Sequence, residues 1–126
     1  FASTVPELFF PYIVPQESGS LTDLSWIAAR RKKGSGLMAC SREPFIGSLL
    51  PYTPAELNAA RHPHELPDPK RVHLNLDIVQ RGLGTHSCGP DTLDKYKIQP
   101  GVFTFTWWLH ALQPGEDPEE AFQQIP

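Results

Sequence analysis

No apolar run in this chain approaches the ~18 residues that a bilayer-spanning helix needs. Cysteine is scarce: Cys40 and Cys88 are the only two among 126 residues. That is too few for the disulfide framework of a small secreted domain. One bridge would use both; the reading adopted is two free thiols in a reducing, cytoplasmic compartment. An excess of one charge is also lacking. The formal net charge is −3, so nothing in bulk electrostatics favours nucleic acid or an anionic membrane as a partner. The run Arg30, Arg31, Lys32, Lys33 is basic but short. It sits beside Gly34-Ser35-Gly36 and reads as a solvated hairpin end, not a phosphate-binding patch. The opening stretch "FASTVPELFFPYIVPQ" has no basic start, and Pro6, Glu7 and Pro11 interrupt it, so it does not read as a signal peptide. The first residue is Phe and not Met, which reads as a processed product, an excised domain or a fragment.

Proline is plentiful, at 14 residues. That disfavours long helices and favours a loop-rich β protein. The length suits one domain with one core. "FFPYIV" (9–14) predicts an edge strand or extended arm. "LTDLSWIAARR" predicts a strand with Leu24, Trp26 and Ala28 on one face, and "LMACSR" returns as the second arm of a hairpin. "PFIGSLL" reads as a third short strand. "YTPAELNAARHP" predicts one helix of about two turns: Thr53 as N-cap, Pro54 first in the helix, Glu56 closing a capping box, Pro63 stopping it. "RVHLNLDIVQ" is the clearest strand, with Val72, Leu74, Leu76 and Ile78 opposite His73, Asn75 and Asp77. "VFTFTWWLHAL" predicts the last strand, Phe103, Phe105, Trp107 and Leu109 facing in and Thr104, Thr106, Trp108 and His110 facing out. The acidic tail, 113–126, shows no period and is expected to be loosely docked. Five to six strands with one short helix give an all-β antiparallel sheet or sandwich.

The segment "RGLGTHSCGP", Arg81–Pro90, is unlike the rest. Gly82, Gly84, Gly89 and Pro90 surround Thr85, His86, Ser87 and Cys88. It is either a turn between strands or a loop shaped to meet a ligand. Chemistry elsewhere is sparse. Asp77 with Asn75 reads as a solvent-facing or turn-bonded carboxylate, and Asp91 and Asp94 as turn residues. No carboxylate pair is evident from spacing. His62 and His64 flank Pro63 at a helix stop and read as capping or hydrogen-bonding groups. His86 and Cys88 share that spacing, but nothing completes a zinc site. Ser87 and Cys88 lack a base and an orienting group, so neither reads as a nucleophile. Gly82-x-Gly84 is too weak for a phosphate loop. Trp107 is expected in the core. Trp108, facing out, is the candidate for stacking on a sugar or for being covered by another domain.

Four stretches carry a resemblance: "PYIVPQESGSLTD", "YTPAELNAARHPHELP", "VHLNLDIVQRGLGTHSCGP" and "YKIQPGVFTFTWWL". In this order they resemble the C-terminal domain of glycoside hydrolase family 2 β-galactosidases, also called the β-galactosidase small chain. The resemblance covers residues 11–112 and leaves 1–10 as an arm and 113–126 as a tail. It implies an antiparallel β-sandwich like that of galactose mutarotase, a supersandwich, of which this chain would be the second half. It implies a parent enzyme that cleaves terminal β-galactosides such as lactose with retention, using two glutamates in a TIM-barrel domain. The magnesium and sodium ions of the family belong to that domain as well. The chain itself would then hold no catalytic residue, metal or cofactor, and would be inactive alone. In well-known family members the residue after the loop serine is a tryptophan that stacks on the sugar. Here that position is Cys88, so the stacking role does not carry over. The resemblance places His86, Ser87 and Cys88 at the substrate rim, with Asp77 and Gln80 as further rim candidates and Arg81 orienting the loop. Expected partners are the catalytic barrel, the galactoside held there, and a second copy of the chain, because a half-sandwich exposes strand edges and an apolar face. Two rivals stand beside this: a carbohydrate-binding module without catalysis, with Trp108 as its platform, and a purely structural or assembly domain.

Overall fold

The computed structural model describes residues 1–10, 19–32, 34–81 and 90–126. Helix α1 spans Val5–Leu8, strand β1 Leu21–Arg30, strand β2 Gly36–Leu50 and helix α2 Pro54–Ala59. Strand β3 spans His73–Asp77, strand β4 Trp108–Leu112 and helix α3 Pro118–Gln123. Short 3₁₀ turns lie at Pro63–Glu65 and Asp94–Tyr96. The strands form one sheet in the order β1-β2-β3, with β4 also pairing β2. An antiparallel sheet with a few short helices is the make-up of an all-β, sandwich-like domain, as the strand pattern predicts. Among the described residues no helix is long and apolar enough to cross a membrane.

The β1–β2 hairpin forms where its glycines fall. Arg31 N–H donates to the Ser35 carbonyl at 3.4 Å, and Gly34 N–H to the Arg31 carbonyl at 2.9 Å. At Gly36 a side chain has no room: a Cβ there would lie 2.4 Å from the Ala29 carbonyl oxygen. Beyond the turn the structure departs from the predicted strand count. "PFIGSLL" is not a separate strand. β2 runs unbroken through Pro44 to Leu50.

The chain divides into two compact units. The first joins Phe1–Leu21 to Gly47–Leu76. Its helix α2 starts as predicted. Glu56 N–H donates to Thr53 Oγ1 at 3.1 Å and Thr53 N–H returns to Glu56 Oε2 at 2.7 Å. Two orphan donors at the helix start are thereby satisfied, and Leu57 is buried on the inner side. The helix ends at Ala59, a turn earlier than Pro63 alone suggests, and the chain resumes as the Pro63–Glu65 turn. β3 is shorter than its alternating sequence: Val72 precedes it and is 48% exposed. Asn75 Nδ2 donates to Ser48 Oγ at 3.0 Å, tying β3 to β2. Of "FFPYIV", Phe9 and Phe10 carry no strand; residues 11–14 lie outside the described residues.

The second unit joins Thr22–Ile46 to Asp77–Pro126. β4 runs antiparallel to β2, pairing Met38 with His110, Cys40 with Trp108 and Gly36 with Leu112. Directly paired residues share a sheet face, so Met38, Cys40, Trp108 and Leu112 look the same way. Met38, Cys40, Leu112 and Ala121 form the core cluster, with Trp26, Ala28, Trp108, Phe122 and Ile125 packed around it. Ala121 and Phe122 come from α3. The predicted loose tail is therefore corrected: 113–126 folds back and covers the sheet. Asp117 caps α3, accepting from Glu119 N–H at 2.7 Å, and Pro118 occupies its first turn.

Covering this face also corrects the facing of the last strand. Trp108 is half-buried against the core, whereas Leu109, expected inside, is 66% exposed. Alternation defines two faces, but which one is covered depends on where α3 lands. The strand is also shorter than "VFTFTWWLHAL": only Trp108–Leu112 pairs, and Val102 is 96% exposed.

Candidate functional site

The Arg81–Pro90 segment leaves the sheet just after β3. The structure describes its two ends, Arg81 and Pro90; Gly82–Gly89, including His86, Ser87 and Cys88, lie outside the described residues. At the β3 end, Gln80 Nε2 donates to Asp77 Oδ2 at 2.9 Å. Asp77 and Gln80, both expected at the substrate rim, thus contact each other. Arg81 is half exposed and its guanidinium donates to Asp91 Oδ1. Asp91 Oδ1 also accepts the Thr92 N–H at 2.8 Å, and its Oδ2 pairs with Lys97 Nζ at 3.1 Å. Lys97 reaches Asp94 Oδ1 at 2.7 Å as well.

These contacts fix the electrostatics of the stem. Lys97, then the Thr92 amide and Arg81, hold the Asp91 carboxyl below the usual carboxylate range. Asp94 and Asp91 in turn raise the Lys97 ammonium. A general acid in glycoside cleavage needs a carboxyl raised toward neutrality. Asp91 is the opposite, a carboxylate kept ionised to hold cations.

The other candidates are placed elsewhere. His62 and His64 stack with ring centroids 5.5 Å apart at the start of the Pro63–Glu65 turn. They do not close α2, whose last bond runs from Ala60 N–H to the Glu56 carbonyl. Among the described residues no three His, Cys, Asp or Glu side chains gather to hold a metal. Trp108 is partly buried and packs against the core cluster. Trp107 stacks on Phe105 at 4.6 Å and meets Phe45 edge-on at 6.4 Å. Its Nε1 is buried with no partner among the described residues. Cys40 is a free thiol, 0% exposed, its Sγ 3.6 Å from the Trp108 carbonyl. Burial pushes that thiol up, Arg42 pulling weakly the other way.

Reading residues one at a time missed the ion network. Its signal was an arginine and an aspartate immediately flanking a glycine-rich segment, opposite charges at the two ends of one loop. The family model described as β-galactosidase small chain matches residues 1–109. The chain belongs to the β-galactosidase small chain family. Among its relatives is the β-galactosidase of Arthrobacter sp. (strain B7), 34% identical over 114 residues, covering 86% of this chain and 11% of that protein. The β-galactosidase of Actinobacillus pleuropneumoniae is 30% identical over 103 residues, covering 82% of this chain and 10% of that protein. The β-galactosidase small subunit of Latilactobacillus sakei is 37% identical over 102 residues, covering 70% of this chain and 31% of that subunit. This member of the small chain family thus spans about a tenth of the length of the two β-galactosidases.

Proposed function

We propose that this chain is part of a β-galactosidase that hydrolyses terminal β-D-galactosides of the lactose type, and that it serves the enzyme without carrying the reaction. The observation that supports the reading is the family match over residues 1–109. It is joined by relatives named β-galactosidase that are many times longer than the chain. The two glutamates of a retaining mechanism, and the family's magnesium and sodium, would come from a barrel domain elsewhere in the parent. The chain's share is to support the fold and to lend the Arg81–Pro90 segment to the substrate rim, with His86, Ser87 and Cys88 nearest the sugar and Asp77 and Gln80 behind them. Cys88 is smaller than an indole and would leave that part of the rim wider. The relative named small subunit supports association with a larger catalytic chain.

The test is hydrolysis of lactose by the full-length protein and by the isolated chain. Full-length turnover with an inert isolated chain is the expected pair of results. No lactose cleavage by the full-length protein would overturn the reading. Light scattering of the isolated chain tests self-association: Leu37, Phe103 and Leu109 are large, exposed and apolar, and a mass above the 14.1 kDa of one chain is expected.

A further inference from the structure

Ahead of β3 runs Pro67-Asp68-Pro69-Lys70-Arg71, where proline alternates with charge. Within the first unit this stretch and the start of α2 line one open cleft of about 520 Å³. Pockets for small molecules span roughly 300–1,000 Å³. Part of the lining is apolar: the Tyr52 ring, packed edge-on with Phe9 at 5.4 Å, and the rings of Pro67 and Pro69. The two prolines fix φ near about −65° on either side of Asp68. That wall is therefore stiff before anything binds, which lowers the ordering cost of binding.

The polar lining carries both signs: Glu56 and Asp68, Lys70 and Arg71, with His73 beside them. The Thr53 amide and hydroxyl hold the Glu56 carboxyl below its ordinary value, and His73 and Arg71 add to the effect. Both Thr53 bonds go to Oε2. Yet among the described residues neither Arg71 nor His73 closes a salt bridge with Glu56, and Asp68 and Lys70 form none. Opposite charges that feel each other but stay unjoined fit a group that bridges them. A hydroxyl donates to a carboxylate and accepts from a cation at once. A phosphate would meet two carboxylates in the same cleft and be repelled by both. We propose that this cleft binds a neutral sugar, its hydroxyls bridging Glu56 and Asp68 to Lys70, Arg71 and His73, and its C–H face lying on Tyr52 and the prolines. Nothing in the cleft depends on lactose hydrolysis, which is measured separately.

The test follows acetylation of Lys70 in the full-length protein, read by mass spectrometry, with galactose, glucose, inorganic phosphate or glycerol added. Lys95, exposed and in the other unit, is the internal reference. A sugar that shields Lys70 slows its acetylation by the factor 1 + [L]/Kd, about sixfold at five times Kd. Galactose or glucose should do this saturably and leave Lys95 unchanged. Arg71→Met should raise the sugar concentration for half-protection several-fold, with the thermal midpoint unchanged. Shielding by phosphate and by neither sugar would overturn the proposal in favour of an anion site. Equal shielding by glycerol would reduce it to a solvent effect, and no shielding would show that the cleft takes no sugar. Protection that survives Arg71→Met undiminished would also overturn it. Each of these outcomes leaves the β-galactosidase reading standing, and an enzyme that fails to cleave lactose leaves this cleft untouched.

Discussion

Phe122 is the residue that tells whether the C-terminal tail belongs to the core. It sits on α3, packs against the cluster of Met38, Cys40 and Leu112, and lies under the Arg42 guanidinium at 4.9 Å. Truncating a fully buried Phe to Ala costs ~3–5 kcal/mol. Phe122 is only partly buried, so about half of that applies, ~1.5–2.5 kcal/mol. Losing the cation–π contact adds ~0.5–1 kcal/mol. Phe122→Ala should therefore destabilise by about 2–3.5 kcal/mol. With a urea dependence of about 1–3 kcal/mol per molar, the midpoint should fall by ~0.7–3.5 M. Tryptophan fluorescence is the suitable signal. Trp26, Trp107 and Trp108 all belong to the unit of Thr22–Ile46 and Asp77–Pro126, so it reports that unit alone. Phe122→Leu keeps the apolar bulk and loses the ring, and should fall between the two. A midpoint within ~0.2 M of wild type for Phe122→Ala would refute the docking of α3. It would restore the view of 113–126 as a loose tail.

Three further outcomes are expected. The Glu116 carboxylate is held below its ordinary value of 4.5, first by the Gln113 amide and then by His110. A depressed folded value means that its contribution is complete above pH 4.5 and lost as pH falls through the lower folded value. The thermal midpoints of wild type and Glu116→Gln should therefore differ at pH 6 and converge toward pH 3; a constant difference would contradict this. Cys40 is fully buried and its thiol is raised. In a Cys88→Ser background it should resist a thiol reagent until urea unfolds the chain, and immediate labelling would show that the core is open. Thr53→Ala removes the α2 capping box and should cost ~1 kcal/mol; an unchanged thermal midpoint by circular dichroism would mean that the cap contributes nothing.

Much of the fold could be read because local chemistry and tertiary structure agree. Thr53-Pro54-x-Glu56 states a helix start in four letters, and the two glycines after Arg30–Lys33 state a hairpin. What could not be read depended on partners distant in sequence. Trp108 and Leu109 lie on opposite faces, and alternation gives no reason to prefer either. Only α3, arriving from residues 118–123, decides that Trp108 is covered and Leu109 is not. The tail itself carried a helix signal: Asp117 before Pro118, two glutamates in the first turn, and Ala121, Phe122 and Ile125 spaced for one face. Its acidity concealed that spacing. β2 shows the reverse error. The expected break before "PFIGSLL" is absent, and one strand runs through Pro44.

The candidate site was legible in a different sense. Tryptophan is the usual first guess for sugar contact; the structure packs Trp108 against the core cluster, its backbone paired with Cys40. The contact made by Arg81 could not be read from local pattern, because its partner Asp91 lies ten positions on. Asp77 and Gln80 are three positions apart, close enough for Gln80 Nε2 to reach Asp77 Oδ2 at 2.9 Å. Polar residues that close an alternating strand thus announce a short-range contact, whereas an ion pair that spans a longer stretch shows itself only once the chain has folded.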